Sequence, residues 1–177
     1  MDGKPLTKAE WVQAALDRYE RSLIRYAARV TGNVDLARDV VQDTFLRLCE
    51  AEQAKVDGHI AAWLYTVCRN RALDVRRHEV RMGSLQDEQL DSVRSECPEP
   101  SSAAGRNEAY ALALEALGTL SENQQEAVRL KFQDGMTYRE ISQVMGVSLG
   151  TVSHLIGTAL AALRDQLGGK IDLAQEV

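Results

Sequence analysis

Apolar residues recur at helical spacing through most of the chain. From Thr7 to Val30 they fall at Val12, Leu16, Tyr19, Leu23, Tyr26 and Val30, in alternating steps of four and three, which is one face of a helix. Gly32 and Asn33 interrupt the pattern, and Asp35 opens a second periodic block, where a carboxylate favours the positive end of a helix. In that block Ala37, Val41, Phe45 and Leu48, with Leu36, Val40 and Thr44 alongside, make a wide stripe for burial. Asp39, Gln42, Asp43 and Leu46 lie on the other side. Glu50 to Gly58 is polar and closes on the turn signal Asp57-Gly58. A third helix is predicted from His59 to about Val80, with Ile60, Leu64, Cys68, Ala72 and Val75 on its core side and Trp63, Thr66, Asn70, Asp74 and Arg77 opposite.

The period is lost from Gly83 to Pro100 and resumes near Arg106 with Tyr110, Leu114 and Leu117. Ser121 is a good cap for the next helix, through Val128 and Phe132, which Gly135 ends. A short helix from Tyr138 to Met145 and a longer one from about Leu149 to Leu167 follow, and residues 168–177, after Gly168-Gly169, are expected to fray. No strand-like alternation of any length is present. The prediction is an all-α chain of two small helical domains, 1–82 and 106–167, joined by a flexible linker at 83–105.

The last two helices have the pattern of a helix-turn-helix. Ile141, Met145, Val147, Val152, Ile156 and Leu160 are placed to pack two steeply crossed helices, and Gly146 stands where the first must end in a left-handed turn. Such a pair holds the N-terminal part of its second helix in a major groove. Val152 and Ile156 are needed for packing, so the groove-facing positions are Ser148, Leu149, Gly150, Thr151, Ser153 and His154. Arg139 lies nearby on the preceding helix.

Charge changes the picture by its distribution. The 177 residues carry a formal net charge of -5, which argues against nonspecific coating of nucleic acid. Between His59 and Met82, however, Arg69, Arg71, Arg76, Arg77 and Arg81 outnumber Asp74 and Glu79, a local balance of +3. From Gly83 to Pro100 five acids face Arg94 alone, a balance of -4, so the linker is acidic. The three cysteines, Cys49, Cys68 and Cys97, show no metal or disulfide spacing, and Cys49 and Cys68 are read as core-side residues. No cofactor, catalytic or metal site is indicated. The start, MDGKPLTKAEW, lacks the apolar centre of a secretory signal and no run is long enough to span a membrane, so a cytoplasmic protein without membrane insertion is expected.

Three segments carry a family resemblance. Asp39 to Leu48 (DVVQDTFLRL) resembles the second conserved region of extracytoplasmic-function (ECF) RNA polymerase sigma factors. Ala62 to Arg77 (AWLYTVCRNRALDVRR) is similar to that family's promoter-melting and minus-ten-reading helix. Tyr138 to Ile141 (YREI), followed by Gly146 to Val152 (GVSLGTV), resembles its minus-thirty-five reader. The motifs occur in family order and the likeness covers about residues 10 to 165. It implies sigma region 2 at 1–82, sigma region 4 at 106–167, and a non-enzymatic subunit that directs core polymerase to promoters.

The resemblance also implies partners. Asp39, Gln42, Asp43 and Leu46 would meet the polymerase clamp coiled coil, with the polymerase flap as a second contact. Promoter DNA would be held by Trp63, Arg69, Asn70, Arg71, Arg76 and Arg77 at the minus-ten element and by Arg139, Ser148, Leu149, Gly150, Thr151, Ser153 and His154 at the minus-thirty-five element. An anti-sigma factor is a further partner to consider. Cations suit phosphates and flat groups suit unstacked bases, although Trp63 serves equally as a core anchor and the linker equally as a plain tether. The loop from Glu50 to Gly58 is implied to pocket a flipped base.

Two positions depart from the family. Arg38 stands where an acid is common, so negative charge added by phosphorylation at Thr31 or Thr44 is expected to strengthen clamp docking. Ser153, His154 and Leu155 occupy a stretch where relatives often show Lys, Ser and Arg, and Thr158 falls where another Arg is frequent, so the expected cations of the reading helix are missing. The competing readings are a two-domain helix-turn-helix regulator and a sigma-like decoy, neither of which replaces a polymerase subunit.

Overall fold

A computed structural model describes residues 7–83 and 115–174, which fall into two compact units. The N-terminal unit packs three helices against one another: α1 (Lys8–Thr31), α2 (Val34–Glu50) and, after the one-turn α3 (Gln53–Val56) and a 3-10 turn at Asp57–His59, α4 (Ile60–Gly83). Thr7 caps α1 in a capping box with Glu10, whose carboxyl is held below its usual range by the Thr7 backbone N–H and then by the hydroxyl. Gly32, at φ 72°, ends α1 in the left-handed conformation, and Asn33 caps α2 by accepting from the N–H groups of Asp35 and Leu36.

Leu23, Ala27, Ala37, Val40, Leu48, Leu64, Tyr65, Cys68 and Ala72 form the buried centre, with the Tyr26 and Tyr65 rings edge to face at 5.2 Å. Trp11 is buried, and its indole N–H donates to Asp57 at 2.8 Å, tying the first turn of α1 to the segment before α4. The polar stretch read as a loop therefore contains α3. A single turn is too short to register as a hydrophobic period.

In the C-terminal unit, helical backbone at 115–118 precedes α5 (Glu122–Phe132), α6 (Tyr138–Met145) and α7 (Leu149–Ala174). Ser121 and Thr137 each build a capping box, on α5 and α6. Leu130, Ile141, Val144, Val152, Ile156 and Ala159 are buried. Leu160, expected in the packing seam, is exposed, because the seam on α7 steps from Val152 and Ile156 to Ala159. The helix also continues through Gly168-Gly169 to Ala174 instead of ending at Leu167: glycine costs a helix interior about 1 kcal/mol but does not forbid it. Among the described residues no single helix is long and apolar enough to cross a membrane. The expected linker from residue 84 onward lies outside the described residues.

Cys68 is buried as expected, but Cys49 is exposed. It falls on the outer side of α2, three residues after Leu46, and a small apolar side chain does not by itself decide a face. Burial pushes the Cys68 thiol up to about 12, opposed in part by its hydrogen bond with Thr44. In a Cys97→Ser background, a maleimide should therefore attach once to the native protein and a second time only under denaturant; prompt double labelling by mass would contradict this burial. An unfolded thiol ionises near its ordinary value of about 8.5. The stability held by this proton is thus fully present below that pH and is lost as pH rises toward the folded value of about 12.

Candidate polymerase and nucleic-acid surfaces

The expected polymerase face of α2 divides three ways. Asp39 is exposed. Gln42 and Leu46 border an open, mainly apolar groove of about 470 Å³ between α1 and α2, floored by Leu16, Val41 and Phe45. Asp43 turns the other way and accepts a hydrogen bond from Arg71 Nε of α4 at 2.8 Å. Arg38 pairs with Asp35 at 3.0 Å on the open surface, so its reversed charge is partly met within α2.

The phosphorylation expectation fails on geometry at Thr44. Thr44 has no exposed surface, and its hydroxyl donates to the Val40 carbonyl at 2.8 Å. Thr31 is also engaged, donating to the carbonyls of Ala27 and Asn33. Sequence placed Thr44 beside the buried stripe, and burial takes it fully.

On α4, Asn70, Arg76 and Arg77 are exposed, while Trp63, Arg69 and Arg71 are half-buried. Arg77 pairs with Asp74 one turn away at 3.2 Å. At 100° per residue the cations spread around the helix: Arg77 lies beside Asn70 on the outer face, Arg71 on the flank toward α2, and Arg69 and Arg76 on the opposite flank. Trp11 is the buried anchor of this unit, which leaves the half-buried Trp63 with part of its ring at the surface.

The C-terminal site is a bent pair. α6 and α7 meet at 104°, within the range of a helix-turn-helix, and Gly146 at φ 67° makes the turn. Ser142 Oγ donates to the Val147 carbonyl at 2.7 Å and fixes the connection. Ser148 accepts from the Thr151 N–H at 3.1 Å and bonds its hydroxyl at 2.9 Å, so part of the expected DNA-facing hydrogen-bonding capacity is used in capping α7. Leu149, Gly150, Ser153 and His154 are exposed, as is Arg139. A Cβ at Gly150 would make only an ordinary 3.8 Å contact with Ser148 Oγ, so the protein's own packing does not demand glycine there. That leaves room for close approach from outside.

Two features were missed in the sequence. Phe132 is 61% exposed, because Leu130 takes the core position on α5. Lys131 donates to the Met136 carbonyl at 3.3 Å and lies 5.4 Å from the centre of the Tyr138 ring. Lys131 and Tyr138 lie on different helices across the turn at Gly135, so no helical spacing signals the contact.

Residues 15–82 match the Sigma-70 region 2 family and residues 110–163 match Sigma-70, region 4. The chain is 32% identical over 170 residues to the ECF RNA polymerase sigma factor SigL of Mycobacterium tuberculosis strain H37Rv, covering 93% of both proteins. It is 32% identical over 167 residues to the ECF RNA polymerase sigma factor SigE of Mycolicibacterium smegmatis, spanning 64% of that protein's length. The solved sigma factor RpoE of Bartonella quintana, in complex with the anti-sigma factor NepR, shares the fold with a TM-score of 0.66 at 24% identity, covering 88% of this chain and 96% of that one. The chain belongs to the ECF RNA polymerase sigma factors.

Proposed function

We propose that this sigma factor works without catalysis of its own, in the cytoplasm, by docking on core polymerase through the Asp39, Gln42 and Leu46 side of α2. In this reading α4 receives the opened minus-ten strand, with Arg69, Arg71, Arg76 and Arg77 for phosphates and Asn70 and the exposed part of Trp63 for bases. The first turns of α7, with Arg139 beside them, enter the major groove at the minus-thirty-five element. The domains are 1–82 and 106–167, with 83–105 as connector. The observation that carries the reading is the 104° helix pair, which buries Val152 and Ile156 and leaves Leu149, Ser153 and His154 outward in a chain that also holds the arginine-rich α4. The reading helix offers hydroxyl and apolar contacts and no bidentate arginine for guanine, so minus-thirty-five affinity is expected to rest on tethering to polymerase. The anti-sigma factor seen with the solved relative supports the same class of partner for this chain.

Run-off transcription with purified core polymerase on the promoter of the protein's own operon, beside a pool of fragments from the same genome, tests the reading. Transcripts that require the added chain are expected. Specific DNA binding without transcript would favour a regulator, and core binding without transcript a decoy.

A further inference from the structure

Asp43 and Arg71 stand 28 residues apart on different helices and meet through one bond, from Nε of the guanidinium to Oδ2 of the carboxylate at 2.8 Å. The choice of nitrogen matters. Nε lies on the inner edge of the planar guanidinium, and a carboxylate held there leaves the Nη1 and Nη2 edge to present two parallel donors to a second anion. Both side chains are 41% exposed, so the pair sits at the surface seam of α2 and α4, where an ion pair contributes little to stability. Its effect is on direction: a long side chain loses most of its rotamers when one edge is fixed.

We infer that Asp43 is a positioning residue for DNA, holding Arg71 by Nε so that its outer edge grips a phosphate of the opened strand. This rests on the reading of α4 as the strand-binding helix and moves Asp43 from the polymerase surface to the DNA site. The two roles predict opposite signs. If Asp43 merely added negative charge near DNA, its removal would strengthen binding, whereas a lost positioning contact weakens it.

The test uses the full-length chain bound to saturating core polymerase, on the promoter that supports run-off transcription, prepared with a premelted minus-ten segment and titrated across salt concentrations. Asp43→Asn should weaken strand binding about two- to fivefold, the range set by a surface ion pair, with the salt slope and core affinity unchanged. Arg71→Gln should weaken it further and lower the log-log salt slope by about 0.7, the share of one phosphate on a single strand. The double variant should match Arg71→Gln alone, because Asp43 then has nothing to orient. Unchanged or tighter strand binding by Asp43→Asn, a loss of core affinity in its place, additive losses in the double variant, or an unchanged slope in Arg71→Gln would each overturn the assignment. Melting curves identify any variant that loses binding by unfolding, and Asp43→Glu, which keeps the carboxylate, should recover part of the loss. A wild-type chain that supports no run-off on any promoter would instead overturn the underlying reading.

Discussion

Thr44→Asp is expected to unfold the N-terminal unit while the C-terminal unit keeps its own melting transition. The side chain has no exposed surface, and its hydroxyl is spent on the Val40 carbonyl and on the buried Cys68 thiol. A carboxylate in that position meets a carbonyl and a protonated thiol, with no cation among the contacts that fix Thr44. Burying an unpaired charge costs several kcal/mol, a large part of the roughly 5–15 kcal/mol that holds a domain together. Thr44→Val keeps the shape, removes donor and acceptor together, and should cost about 1 kcal/mol or less. Circular dichroism melts of the full chain read both outcomes. An unchanged melt for Thr44→Asp, with tighter core binding, would restore the phosphorylation idea that the geometry rejects.

The second large effect is expected at Ile141. It has no exposed surface and sits where α6 meets α7, against a seam that includes Val152 and Ile156. Ile141→Ala removes three carbons from this seam, at a cost of about 2–5 kcal/mol. In a unit this small each kcal/mol moves the midpoint by about 4–8 °C, so the C-terminal transition should fall by about eight degrees or more. Transcription from a promoter that needs its minus-thirty-five element should fall with it, while core affinity, proposed to rest on α2, should persist. A matching fall of the melting midpoint at Leu149→Ala would contradict the assignment, because Leu149 is half-exposed and holds no part of the seam.

How much of this was legible in the sequence depends on the range of the interaction. Local signals are the legible ones: Ser121 caps its helix as expected and Gly146 makes the left-handed turn, while Thr7, Asn33 and Thr137 prove to be caps as well, because their oxygens reach N–H groups two or three residues away. The Tyr138–Met145 helix is bounded by such signals on both sides and was predicted to the residue. The turn of α3 was invisible because four residues give no period. Leu160 was misassigned because a step of four was continued where the helical period of 3.6 requires three, which selects Ala159. Asp43 was grouped with Asp39 and Gln42 since all three oppose the apolar stripe. Only the placement of α4 shows that the edge of that face reaches a cation, and no one-dimensional pattern encodes a pairing across 28 residues.

The bond from the Trp11 indole to Asp57 joins positions 46 residues apart, with α2 and α3 between them in the chain. The chain has only two tryptophans, and their surroundings differ: Trp11 is buried and bonded to a carboxylate, while Trp63 is half-buried on the helix assigned to the opened strand. Variants that keep one tryptophan each, Trp63→Phe and Trp11→Phe, would therefore report on two different surroundings without any added dye. Light from Trp11 alone would then follow the contact with Asp57, and, in the role proposed for Trp63, quenching of its light by a stacked base would follow the arrival of DNA.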